Sequence, residues 1–182
     1  WATSTPYPVY FEGAQFVHFM LGPATVSLAV PLYGQVHRIR KAALPLIGAL
    51  LAGIVTSVLT VVWIGEAMGL ERQVPLSLVP KSATAPVALG VSESLGGSPT
   101  LTAVLVILTG ICGAVVVTPL MNALGIRDWR ARGFSVGVAA HGIGAARALQ
   151  VNDTAGAFAA VGMGLSAIAT AFLAPILAGW LL

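Results

Sequence analysis

Three long stretches of this chain carry no charged side chain: residues 42–65, 94–126 and 154–182. Each exceeds the ~20 apolar residues that carry a helix across a hydrocarbon core. Inside a bilayer the backbone polar groups must be satisfied within the protein, which leaves helices as the natural form for such runs. Hydrophobic residues make up 57% of the sequence and charged ones 8%, far from the balance of a soluble domain. The expectation is an all-α membrane protein, polytopic, folded as one domain over residues 1–182.

Three further stretches are apolar but broken by Gly, Pro or charge: LGPATVSLAVPLY (21–33), PKSATAPVALGVSE (80–93) and AHGIGAARAL (140–149). Irregular backbone survives at membrane depth only where protein or a water-filled cavity satisfies it, which is how solute-handling membrane proteins build their sites. Six segments follow: A (14–33, broken near Gly22 and Pro23), B (42–68), C (79–94), D (101–124), E (133–149) and F (155–182). B, D and F read as full-length helices, and A, C and E as broken or re-entrant ones.

Charge orients them. Arg38, Arg40 and Lys41 lie between A and B, and Arg127, Arg130 and Arg132 between D and E, so six of the nine basic residues sit in two short loops. Both loops should be cytoplasmic, and the net charge of +3 argues topology, not nucleic-acid binding. B then runs outward and D inward, so C enters from outside and returns there. The same logic sends E outward and F back inward. GIVTSVL (53–59) in B resembles AIATAFL (167–173) in F. With A preceding B as E precedes F, this suggests an inverted repeat, with first-repeat part 14–68 and second-repeat part 79–182.

Lys81 stands between Pro80 and the hydroxyls of Ser82 and Thr84. A lysine at a helix centre costs ~2.5–3.5 kcal/mol on insertion scales, so it faces a cavity, a partner or the interface. If Ser82 opens a half-helix, free N–H groups, hydroxyls and an ammonium converge on an anion site; otherwise Lys81 snorkels to the headgroups. In E, Gly142 and Gly144 permit a break, with His141 on one side and Arg147 on the other. Arg147 has no acid between residues 133 and 152, which suggests a bound anion or a distant acid such as Glu93. His141 either titrates in a proton-coupled cycle or is a neutral ring bonded to a backbone carbonyl. Gly22, Pro23 and Thr25 look like the start of a half-helix in A, while His18 reads as packed or interfacial. Glu93 pairs with Lys81 or Arg147, or sits in an outer vestibule.

Cys112 reads as a small packing residue. Small residues four apart (Gly156, Ala160 and Gly164; Gly162, Ser166, Thr170 and Ala174; Gly110, Ala114 and Thr118) suit close helix packing. No metal, cofactor or catalytic constellation emerges: the sequence has no HExxH, GxSxG or Walker loop. An enzyme is not expected.

Together, LGPATVSLAVPLY, PKSATAPVALGVSE and HGIGAARAL resemble the signature stretches of the LrgB/CidB family over essentially the whole chain. The resemblance implies two helices upstream of YFEG (10–13), a bacterial inner-membrane location, homo-oligomers and a small LrgA/CidA-type membrane partner. It also implies one of two functions. Some members carry small monocarboxylates (pyruvate, glycolate or glycerate), which makes this a secondary-transporter core; others are named holin- or antiholin-like modulators of murein hydrolase activity and autolysis. The chain departs from the family pattern at Ala85, Ala140, Ala145, Ala159 and Ala160, where hydroxyl residues are frequent. That favours pyruvate over the hydroxy acids.

Overall fold

The computed structural model describes residues 29–182. Among these residues there are seven helices and no strand: α1 (Ala29–Lys41), α2 (Ala43–Ala67), α3 (Gln73–Leu78), α4 (Ala85–Ser94), α5 (Pro99–Ala123), α6 (Trp129–Val151) and α7 (Asp153–Leu181). The break expected near Gly22, with Pro23, Thr25 and His18, lies outside the described residues.

Three helices are long and apolar enough to cross a membrane: α2, α5 and α7, of 25, 25 and 29 residues. They are segments B, D and F. At 1.5 Å per residue, 25 residues reach roughly 37 Å, enough for the hydrocarbon core. Their starts are chemically marked. Ser98 caps α5 by accepting from the Leu101 N–H, with Pro99 in the first turn. Asn152 caps α7 by accepting from the Ala155 N–H. Each side chain satisfies a donor that the helix itself leaves open.

Segment C (79–94) forms a hairpin together with the short helix that precedes it, α3. The α3 arm starts beside the end of α2, where Gly65 lies against Pro75. Residues 79–84 form the tip, and α4 climbs back. The two arms and the start of α5 are tied at one level by buried hydroxyls. Ser77 Oγ accepts from the Ser98 N–H at 2.8 Å, and Thr102 Oγ1 bonds both the Ser77 carbonyl at 3.0 Å and Ser92 Oγ at 2.7 Å. Thus α2 ends and α5 begins on the same face, as the basic loops required.

Segment E departs from its expected course. The α6 backbone leaves helical geometry at Ala140 (φ −132°, ψ 21°) and His141 (φ 41°, ψ −137°) and reverses. A Cβ on Gly144 would sit 3.0 Å from the Val136 carbonyl oxygen, although eight residues of straight helix span roughly 12 Å. The first arm runs alongside α7 in the same direction, with Gly133 against Ala155 and Gly137 against Ala159; the second runs against it, with Leu149 beside Gly156. Both ends of α6 therefore lie on the basic-loop face. F starts there too and runs away from that face, not toward it as charge alone suggested. The charge pattern fixes where a segment begins, whereas a reversal at depth leaves no charge to mark it.

The helices linked by the match of 53–59 to 167–173 consequently run the same way. The opposed elements are the two hairpins, α3–α4 and α6, which enter from opposite faces. Both tips reach the middle of α5: Ala83 packs in one cluster with Val106, and His141 bonds the Val106 carbonyl.

Packing separates the small-residue stripes. Ser166, Thr170 and Ala174 are buried at 1%, 3% and 0% exposure, whereas nothing lies within 4 Å of a Cβ placed on Gly164. Cys112 is exposed and does not fill the packing role expected of it. The residues of α5 that face the α6 tip are Gly110 and Gly113, and Cys112 falls off that face.

Candidate functional site

A cavity of about 1000 Å³ lies between α2, the α3–α4 tip, α5, the first arm of α6 and α7. Its mouth, by Ala42, Pro45, Asp128 and Arg130, is on the basic-loop face, its deep end reaches Ser57, Lys81, Ser82 and Thr109, and its α2 wall is exposed at Ala49, Ala52 and Thr56. Between them the walls are largely apolar, formed by side chains such as Ile54, Phe134, Val138 and Phe158. The charged lining residues lie at its two ends, Asp128 and Arg130 at the mouth and Lys81 at the other, with hydroxyls such as Ser135 and Thr56 between them.

At the mouth, Asp128 caps α6 by accepting from the Arg130 N–H at 2.9 Å. The Arg130 guanidinium grips the same carboxylate, with Nη2 to Oδ2 at 2.6 Å. That hydrogen bond holds the Asp128 carboxyl below its usual range. Both side chains are about half exposed, so this pair orders the entrance and adds little stability. Arg132 is tied down separately: Nε donates to the Ile126 carbonyl, Nη2 to Asn122, and the guanidinium stacks 5.1 Å from the Trp129 ring centre.

At the deep end, Lys81 is half-buried, and its ammonium donates to Ser57 Oγ at 3.0 Å. Ser57 Oγ lies 3.5 Å from Ser82 Oγ. Among the described residues Lys81 has no acidic partner. Its ammonium meets α2 at Ser57, inside that 25-residue span, and the tip that carries it meets α5 at Val106. A cation with spare donors at the end of an apolar cavity suits an anion with a small apolar body.

The other sequence-derived residues scatter. Thr84 is the N-cap residue of α4, without a side-chain capping bond, and does not line the cavity. His141 is 5% exposed, and its Nε2–H donates to the Val106 carbonyl at 2.9 Å; this is the bonded-ring alternative. The break falls at Ala140 and His141, not at Gly142 or Gly144. Gly144 instead permits close approach of the two α6 arms, and Gly142 faces Met163 at an ordinary 3.7 Å.

Arg147 is exposed and borders a separate small recess with Thr118, Trp129 and Arg132. It does not converge with Lys81, because the α6 reversal carries it back to the basic-loop face. Glu93 is exposed near the end of α4, on the opposite face from Arg147, and pairs with neither cation. Sequence reasoning passed over Ser57 and Thr109. The available signal was the hydroxyl cluster Thr56, Ser57 and Thr60 within an uncharged run, read only as part of a repeat.

The model of the LrgB-like family matches residues 1–180. Among similar curated proteins, Uncharacterized protein YxaC of Bacillus subtilis (strain 168) is 35% identical over 96% of this chain and 76% of its own length. Holin-like protein CidB of Staphylococcus epidermidis is 33% identical over 94% of this chain and 75% of its own, and Holin-like protein CidB of Staphylococcus aureus is 32% identical over the same shares. No solved structure matches.

Proposed function

This chain belongs to the LrgB-like family, and we propose that it forms the permeation core of a membrane system for small anions. The observation that carries this reading is Lys81: an ammonium that donates to Ser57 beside Ser82 and has no acidic partner among the described residues, at the deep end of the cavity. A buried cation is expensive in a membrane and marks a solute path by default. Small monocarboxylates such as pyruvate, glycolate or glycerate fit one cation and apolar walls. The partner would be a small LrgA/CidA-type membrane protein, and the site of action a bacterial cytoplasmic membrane. Reconstituted with such a partner, the protein should move radiolabelled pyruvate, lactate, glycolate or glycerate into liposomes. If none of the four enters faster than into empty vesicles, permeation of monocarboxylates is wrong.

The second reading is a holin-like component that modulates murein hydrolase activity and autolysis. The names of the staphylococcal relatives favour it, and at family level they support it more directly than they support any substrate. A Lys81→Ala variant separates the two: a retained lysis phenotype with abolished flux makes lysis an independent activity.

A further inference from the structure

We propose that Ser57 on α2 is a positioning residue for Lys81, deciding which ammonium hydrogens face the cavity; this rests on the anion-permeation reading above. The lysine stem springs from residues 79–84, which belong to no α-helix. Its backbone is held on both sides, by Val79 in the core cluster with Val58 and Val62 of α2 and by the fully buried Ala83 in a cluster with Val106 of α5, so the freedom that remains is in the side chain. The side chain retains four rotatable bonds, and a flexible point charge on such a stem has no preferred direction of its own.

Ser57 supplies that direction. It sits in the interior of a continuous 25-residue helix, so its hydroxyl is a fixed point at depth. Its oxygen accepts one ammonium hydrogen at 3.0 Å. An ammonium has three donors, which leaves two for a bound carboxylate. Because Ser57 Oγ accepts from Lys81, its own hydrogen is free to donate, with Ser82 Oγ 3.5 Å away or an anion as the acceptor. Ser57, Lys81 and Ser82 all line the same cavity. The hydroxyl therefore presents the cation already oriented, so an entering anion need not order it.

Lactate uptake into liposomes by the full chain with its LrgA-type partner tests this. Ser57→Ala should raise the half-saturating lactate concentration roughly fivefold to tenfold with the maximal rate kept, the scale of one hydrogen bond. Ser57→Thr should restore it. Wild-type half-saturation in Ser57→Ala, with wild-type protein transporting, overturns the proposal and leaves permeation intact.

A second measurement needs no transport. In a Ser57→Cys variant the new thiol lies beside the ammonium, which favours the reactive thiolate. With the exposed Cys112 replaced by Ala in both proteins, a neutral maleimide should therefore modify Ser57→Cys several-fold faster than Ser57→Cys combined with Lys81→Met. Equal rates overturn the contact whether or not lactate moves.

Discussion

His141 donates from Nε2 to the Val106 carbonyl at 2.9 Å, and does so from a backbone held at φ 41°. A non-glycine residue in this region is strained, and such strain persists only where its surroundings impose it. Here the imidazole ties the tip of α6 to the middle of α5, at the residue that also packs against the other hairpin. Removing the ring while keeping a Cβ retains the strain and loses the anchor. Removing both relieves the strain. We expect His141→Ala to lower stability by about 2 kcal/mol, and His141→Gly to be less harmful by roughly 1 kcal/mol. Thermal unfolding in detergent checks the order; His141→Gly below His141→Ala contradicts it.

Lys81→Met should remove anion flux while leaving the fold at least as stable as the wild type. A half-buried ammonium carries a desolvation cost that an apolar side chain of similar length does not. A loss of stability alongside loss of flux would make Lys81 a structural residue.

Arg147→Lys should leave flux within about twofold of wild type, on the scale of an exposed substitution away from packed features. Its side chain is exposed beside Trp129 and Arg132, away from the cavity. A tenfold or greater loss in lactate uptake would return Arg147 to the permeation path.

Gly133→Ala and Gly137→Ala should each destabilise the bundle by about 1–3 kcal/mol through overpacking. A Cβ at either position would overlap the backbone of α7, at Ala155 and Ala159 respectively. Gly164→Ala meets nothing within 4 Å and should gain up to about 1 kcal/mol from helix propensity. Melting temperatures in one detergent rank the three; a destabilised Gly164→Ala would mean that a partner covers that face.

Cysteines introduced singly at Gly69 and Ser98 should react with a membrane-impermeant maleimide from outside, and one at Asp153 only after permeabilisation. The Asp153 result discriminates: labelling from outside would mean that α6 crosses fully, as charge alone predicts.

The sequence by itself determined the membrane class, the three spanning helices and the sharing of one face by the two basic clusters. Long uncharged runs and clustered arginines are local properties, and local properties survive in a one-dimensional reading. It also located both breaks to within a few residues, because Pro80 and the glycines around His141 disfavour a continuous helix wherever they fall. What it misjudged was the course of the chain beyond the second break, where charge alone sent segment E across and F back. A kinked span and a hairpin have the same composition; packing decides between them. Here that packing is Gly144 against Val136 and Gly133 against Ala155.

The same limit explains the site. Lys81 was legible as a costly cation, but its partner lies 24 positions away on α2, and no spacing rule links them. Arg147 read as an anion ligand because it follows a break and has no acid near it in sequence. Only the α6 reversal separates them, returning Arg147 to the face from which the helix entered. Chemistry carried by a single residue is visible in sequence, whereas convergence depends on which elements turn back, and tertiary contacts settle that.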